Sequence, residues 1–434
     1  MHSFRYRNGH LYCEDVDLLR AVDQLGTPAY VYSAQTILDH YARLHAALEP
    51  LDHLICYAVK ANSNRAILKL LADTGAGFDI VSGGELYRVL AAGGEPAKCT
   101  FAGVGKSPEE IKYALEQGVY SFNVESEAEL DQIDSIAREK TTRAPIALRV
   151  NPNVDPHTHE YISTGLHENK FGIALDRVGA IYEQAGKMRN IDIVGIQMHI
   201  GSQIAEAKPF ACAIEKMTPI VRELKSKYGL KFLSIGGGMG IIYQRALESG
   251  SGKWWREHGN ESFAFSVRDY AAAIVPPLRD LGLRILIEPG RFLVGNAGVL
   301  LTRVRYIKTT AAKKFAIVDA GMNDLIRPAL YQSYHEIVPI TEPGNGKSVE
   351  TIDVVGPVCE SGDFFAQGRQ MPELHEGDLL AIMSAGAYGF VMASNYNSRP
   401  LPAEALVRGD GVGLIRRRQT WADLVREEMD PEWV

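Results

Sequence analysis

The stretch Leu54-Ile55-Cys56-Tyr57-Ala58-Val59-Lys60-Ala61-Asn62-Ser63-Asn64 decides how the chain is read. Leu54 to Val59 is a short apolar run rich in β-formers, which predicts a buried strand. Lys60 sits at its carboxyl end, and Asn62, Ser63 and Asn64 can open a helix. A lysine in that place is ordinarily a solvated charge closing a strand. The alternative is an amine partly withdrawn from water, its pKa lowered enough to act as a nucleophile or hold an imine. The pattern on either side decides between them.

Downstream, short apolar strands recur at 78–80, 100–102, 120–124, 146–150, 193–199, 232–235 and 285–287. Ser82-Gly83-Gly84-Glu85 and Ser126-Glu127-Ala128-Glu129 are capping-box patterns, and Ser107-Pro108-Glu109 puts proline at a first helical position. With the Lys60 strand this makes eight strand–helix units in about 240 residues, the arithmetic of a (β/α)8 TIM barrel. Upstream, residues 4–33 read as short strands, Tyr30-Val31-Tyr32 the clearest. A helix follows from Ala34 to Leu48, with Ile37, Leu38, Tyr41, Leu44 and Leu48 on one face.

Beyond Arg291 strands are expected at 299–310, 315–318, 351–355, 379–383 and 405–407, with Gly, Pro and Asp turns between them. The one helix expected there is short, near Trp421 to Met429. The expected class is α/β: a barrel over 27–290, and an antiparallel β domain, Greek-key or β-barrel-like, from 1–26 and 291–434.

The 434 residues are 46% hydrophobic and 23% charged, ordinary for a globular protein. A net charge of -7 gives no reason to expect nucleic acid or an anionic membrane as partner. The five cysteines, at 13, 56, 99, 212 and 359, have no CxxC pairing and argue for a reducing compartment. The N-terminus lacks an apolar signal region, and no apolar run reaches the length of a membrane span, so a cytoplasmic protein is expected.

Chemistry in such a barrel gathers where the strands end. Those ends carry Lys60, Asp79, Arg149, His199-Ile200-Gly201-Ser202-Gln203, Gly236-Gly237-Gly238-Met239-Gly240 and Glu288-Pro289-Gly290-Arg291. Singly each has a bland reading: His199 as a core histidine, Glu288 as the partner of Arg291. The glycine turn lacks GxGxxG spacing, because Ile241 stands where the last glycine belongs, and it suits a compact phosphate better than a dinucleotide. Gly103 to Ser107 and Gly346-Lys347-Ser348 look like P-loops but lack the first glycine, with Thr100 and Thr341 in its place. His157 and His159 have no carboxylate at ligand spacing, so no metal is expected. The Asn260-Glu261-Ser262 sequon carries no meaning in a cytoplasmic protein, and Ser249 to Ser262 reads only as a loop over or beside the barrel. Together the strand ends fit pyridoxal phosphate: a lysine for the imine, glycines for the phosphate, a carboxylate for the pyridine nitrogen and an imidazole for the ring face.

Tyr57 to Asn62, His199 to Gln203, Gly236 to Gly240 and Glu288 to Arg291 resemble the motifs of fold-type III pyridoxal-phosphate decarboxylases, whose barrel is alanine-racemase-like. Gly356-Pro357-Val358-Cys359-Glu360-Ser361-Gly362-Asp363 resembles that group's active-site cysteine segment. Met322 to Tyr331, Cys359 to Ser361 and Gly386 to Asn397 look specifically like the diaminopimelate decarboxylases within it. The likeness runs in order from about Thr27 to Pro400.

The resemblance implies that Lys60 holds the cofactor and His199 stacks on it. Asp79 and Arg149 join the cofactor site. Ser202, Gly236, Gly237, Gly238, Gly290 and Tyr388 surround the phosphate, Arg291 also joins the cofactor site, and Glu288 pairs with the pyridine nitrogen. Arg291, Arg327, Tyr331 and Tyr388 contact substrate, Glu360 binds its distal ammonium, and Cys359 returns the proton. Cys359 and Glu360 come from the partner of a homodimer with shared active sites. The implied reaction is decarboxylation of meso-2,6-diaminopimelate to L-lysine, the last step of lysine biosynthesis. The residues agree in type: an arginine fork suits the distant carboxylate, and a site for ornithine or lysine would gain nothing from burying it. A decarboxylase of another dibasic amino acid (ornithine, lysine or arginine) and a catalytically inactive homologue are the alternatives.

Overall fold

The computed structural model describes residues 2–154, 170–258, 266–344, 346 and 348–433. His157, His159, the Asn260–Ser262 sequon and Lys347 lie outside the described residues. Two compact units form: one of Met1–Ile37, Ile242–Arg256 and Val294–Val434, the other of Leu38–Ile241 and Glu257–Leu293.

In the second unit the barrel strands are, in chain order, His53–Ala58, Gly77–Ile80, Cys99–Phe101, Ser121–Val124, Ala144–Asn151, Ile191–Met198, Phe232–Ser234 and Arg284–Ile287. Each is parallel to the next, and the eighth returns to the first through Ile285↔His53, Leu286↔Leu54 and Ile287↔Ile55, so the sheet closes. The strands are short and nearly continuous in apolar residues because both faces are covered, one by the filled interior and one by helices. Cys56, Ala147, Val194, Phe232 and Leu286 cluster as part of that filling.

The helices start where the capping residues lie, with one correction. Ser107 and Glu110 make the reciprocal capping box, with Pro108 opening the helix. In the other two patterns only half the box forms. Ser82 and Ser126 accept the N–H of Glu85 and Glu129, but those acids reach one residue further back, to the N–H groups of Val81 and Glu125. The acids are thereby drawn under the strand ends rather than left at the helix surface.

Lys106, in the rejected P-loop likeness, has a side chain wholly shielded from solvent. Its Nζ donates to Gly103 O at 2.8 Å, Asn123 O at 3.0 Å and Glu129 Oε1 at 2.6 Å. A buried ammonium persists only when its donors are all used, and here they tie the third and fourth strand ends together.

The first unit holds a nine-stranded sheet, richer in parallel pairing than the sequence predicts. Most neighbours are antiparallel, but Lys314–Val318 runs parallel to Val349–Val355, and Ala29–Ser33 parallel to Ala403–Arg408. Strand direction depends on which distant segments become neighbours, which no local pattern records. Gly298–Thr309 is the spine, pairing with Ala29–Ser33 and Leu379–Ile382 early and with Lys314–Val318 late. Residues 4–33 are not all strand: Leu18–Leu25 is a helix capped by Asp17, burying Leu18, Ala21 and Val22 in the core with Phe4, Leu11 and Val31. A second unexpected helix spans Arg327–Tyr331. Ser249 and its neighbours form a turn and the helix Gly252–His258, in which Trp254 is buried and the Trp255 indole donates to Ser249 O at 2.8 Å. Among the described residues no helix is long and apolar enough to cross a membrane, and no group of three His, Cys, Asp or Glu is arranged to hold a metal.

Lys106→Ala strands the buried Glu129 carboxylate and should cost about 3–5 kcal/mol of stability, read by urea unfolding. A loss under about 1 kcal/mol would mean that the pair is effectively solvated.

Candidate active site

The first strand stops at Ala58, and Lys60 projects from the single turn Val59–Ala61 that follows. Its Nζ lies 2.7 Å from Asp79 Oδ2, at the end of the second strand, and 41% of the Lys60 side chain is open to solvent while Asp79 is buried. The amine is therefore reachable from the barrel mouth and oriented by a carboxylate that water does not reach. Asp79 Oδ1 is buried and finds no donor among the described residues. Glu85, drawn in by its bond to Val81 N–H, is pushed up to about 7 by burial, against the opposing charge of Lys60.

Glu288 leaves the eighth strand into the interior. Its Oε1 accepts from Ser234 Oγ at 2.6 Å and its Oε2 from Gln197 Nε2 at 2.9 Å. Burial and then the Asp79 carboxylate push it up to about 7, so it can hold or release a proton near neutrality. Ser234 and Gln197 escaped the sequence reading. The available signal was a polar side chain near the end of an otherwise apolar strand.

The Gly237 N–H donates to His199 Nδ1 at 3.2 Å, which requires that nitrogen to be unprotonated and puts the ring proton on Nε2. Burial, then the charges of Arg149 and Lys60, hold the His199 pKa well below the ordinary histidine value. The ring is a neutral face.

The glycine loop is pressed between two neighbours. An added Cβ at Gly236, whose φ is +71°, would sit 2.6 Å from Met198 O, and one at Gly237 would sit 2.1 Å from Glu288 O. No side chain fits there, so backbone lines that part of the mouth. Gly238 O accepts the Ile204 N–H at 2.9 Å, binding this loop to the one after the sixth strand. In that loop Ser202 Oγ accepts from Arg291 Nη2 at 3.1 Å, and Gly290 lies beside Ala58 and Ala61. Arg149, on the fifth strand, donates to Glu125 Oε1 at 2.9 Å, and the same carboxylate takes the N–H groups of Gly103 and Gly172. The barrel unit thus gathers Lys60, Asp79, Arg149, His199, Ser202, Gly236, Gly237, Gly238, Glu288, Gly290 and Arg291 at its carboxyl face, as expected.

The remaining candidates lie in the first unit. Arg327, buried, opens the helix Arg327–Tyr331. Its Nη1 donates to Tyr243 Oη at 2.8 Å and its Nη2 to Ser333 Oγ at 3.0 Å. Nothing in the sequence marked Tyr243 or Ser333. Cys359 is exposed, its N–H donating to Asn397 Oδ1 at 2.9 Å, and Glu360 Oε2 accepts from Tyr396 Oη at 3.3 Å. Asp363 closes that loop by accepting the N–H groups of Val358 and Met322. Tyr388 is half-buried with φ +56°.

The barrel mouth has the donor set that pyridoxal phosphate requires: an accessible amine, a backbone-lined cradle, a buried acid that titrates near neutrality and a neutral ring face. The glycine loop, too tight for any Cβ and therefore lined by main chain, agrees with a phosphate-bearing occupant.

Residues 34–295 match the pyridoxal binding domain of the pyridoxal-dependent decarboxylases. The chain is 48% identical to the diaminopimelate decarboxylase of Pseudomonas aeruginosa over 99% of each, and 46% identical to that of Vibrio cholerae over 98% of each. A crystal structure of the Helicobacter pylori diaminopimelate decarboxylase complexed with L-lysine superposes with a TM-score of 0.87 at 40% identity, covering 95% of this chain and 99% of that one. The chain therefore belongs to the pyridoxal-dependent decarboxylases and, within them, to the diaminopimelate decarboxylase family.

Proposed function

We infer that the chain uses pyridoxal phosphate to decarboxylate meso-2,6-diaminopimelate, giving L-lysine and carbon dioxide. The observation that carries this is the agreement with diaminopimelate decarboxylases over 99% of the chain, in a barrel whose strand ends bear the cofactor's donor set. The Helicobacter pylori relative's complex with L-lysine fits the same product.

Lys60 would hold the cofactor covalently. Gly236, Gly237, Gly238, Gly290, Ser202 and Tyr388 would hold its phosphate, Glu288 would meet its pyridine nitrogen, and Asp79, Arg149 and Arg291 would complete the site. When bound, the cofactor supplies an electron sink for the charge left on carbon as carbon dioxide departs. Glu288, pushed up to about 7, would share a proton with that nitrogen. Asp79 orients the Lys60 amine through the 2.7 Å contact. His199 offers a stacking face without adding positive charge beside the amine. Arg327, with Arg291 and Tyr331, receives the carboxylate remote from the reacting carbon, and Glu360 receives the remote ammonium. Cys359 Sγ delivers the proton that replaces carbon dioxide.

We further propose a homodimer whose partner lends Cys359 and Glu360 to each site. Cys359 is exposed on its own chain, which suits a side chain that serves a neighbour. The five free cysteines support a reducing, cytoplasmic setting.

Carbon dioxide release should be seen with meso-diaminopimelate and fall to background with L-lysine, L-ornithine and L-arginine. Preference for one of the latter would replace the substrate, and no release from any would make the chain an inactive homologue. Borohydride reduction should fix the cofactor on the peptide containing Lys60, and Lys60→Ala should leave no labelled peptide; a label elsewhere removes Lys60 from its role. Lys60→Ala and Cys359→Ala homodimers should each be nearly inactive. Dissociated, mixed and reassociated, they should recover about a quarter of parental activity, because half the dimers are mixed and one site in each is whole. No recovery despite demonstrated exchange would put both residues to work within one chain.

A further inference from the structure

We infer that Tyr243 is a positioning residue for substrate recognition: its hydroxyl and ring hold the Arg327 guanidinium in the orientation that receives the remote carboxylate. The inference rests on the proposed role of Arg327 and adds to it the group that gives the arginine its geometry.

Arginine is a planar fork on a flexible stem, and ordering that stem costs rotamer entropy. A fork ordered before substrate arrives does not charge that cost against binding. Arg327 is ordered at three points. Nη1 donates to Tyr243 Oη at 2.8 Å, Nη2 donates to Ser333 Oγ at 3.0 Å, and the guanidinium carbon lies 5.0 Å from the centroid of the Tyr243 ring. Anchoring both terminal nitrogens fixes the rotation of the fork, and the ring face limits its tilt. Both of these acceptors are hydroxyls, which orient the guanidinium by hydrogen bonding.

Tyr243 is itself held. Its ring meets His335 edge-on at 5.1 Å and 79°, and His335 Nδ1 is bound to Met383 O at 2.8 Å. The preceding residue is pinned where Asn296 Nδ2 donates to Ile242 O at 2.9 Å. The tyrosine arrives on Ile242–Arg256, which belongs to the same unit as Arg327 although it lies between barrel elements in sequence. That placement gives the detour of the chain through the first unit a role in specificity.

The test compares Tyr243→Phe, which keeps the ring and loses the hydroxyl, with Arg327→Ala and with the double variant. For Tyr243→Phe the KM for meso-diaminopimelate and the inhibition constant of L-lysine, which retains the remote carboxylate, should both rise about tenfold, equivalent to about 1.4 kcal/mol. kcat, pyridoxal-phosphate content and melting temperature should stay close to the parent. The double variant should be no worse than Arg327→Ala alone, as expected when one residue acts through the other. If Arg327→Ala raises both constants but Tyr243→Phe does not, the positioning role is overturned and the arginine's role stands. Additive losses in the double variant also overturn it. Unchanged constants in Arg327→Ala would remove the arginine from recognition, and the inference would fall with it. A loss of cofactor content or melting temperature in Tyr243→Phe equal to its loss of affinity would make the tyrosine merely structural.

Discussion

Two carboxylates, Asp79 and Glu288, are buried at the ends of the second and eighth strands, and the Lys60 amine comes to them from the first. Desolvation favours the neutral form of Glu288, and the nearby Asp79 carboxylate adds to that. Lys60 opposes both effects, and its charge is also felt at Glu85 and His199. Burial is the first cause at Glu85, Glu288 and His199 alike, and the Lys60 charge modulates all three. Chemistry near neutrality needs such shifted groups, and here they arise first from burial.

Around this centre the barrel uses backbone where it lacks room for side chains. Gly236 and Gly237 let the seventh strand's loop lie against Met198 and Glu288, so a phosphate would be met by main chain. Buried charges farther out are tied to neighbouring strand ends: Lys106 to Glu129 and to the carbonyls of Gly103 and Asn123, Arg149 to Glu125. The first unit solves a different problem. Arg327 is steadied by two hydroxyls and a ring face.

The barrel was legible in the sequence because every one of its strands is a local signal: a short apolar run, a polar end, a capping residue. Lys60, Asp79, His199, the glycine loop and Glu288 were legible for the same reason, since a residue that ends a barrel strand must face the mouth. The first unit was less so. Leu18–Leu25 was hidden among strand-like neighbours, and the two parallel pairings join segments with tens to hundreds of residues between them. The short helix at Arg327 is too brief to show a period.

By itself, then, the sequence determined the alternation that builds the barrel and which side chains stand at its strand ends, because period and capping act over a few residues. Tertiary structure alone decided the states and supports of those side chains. Glu288 is pushed up to about 7 by burial and by the Asp79 carboxylate, against the hydrogen bonds from Ser234 and Gln197 that favour its charged form. The capping acids Glu85 and Glu129 turn inward because the N–H groups of Val81 and Glu125 are there to be satisfied. Tyr243 comes to Arg327 across 84 residues of chain. Desolvation and hydrogen bonding act through space at a few ångströms, and no spacing along the chain encodes them.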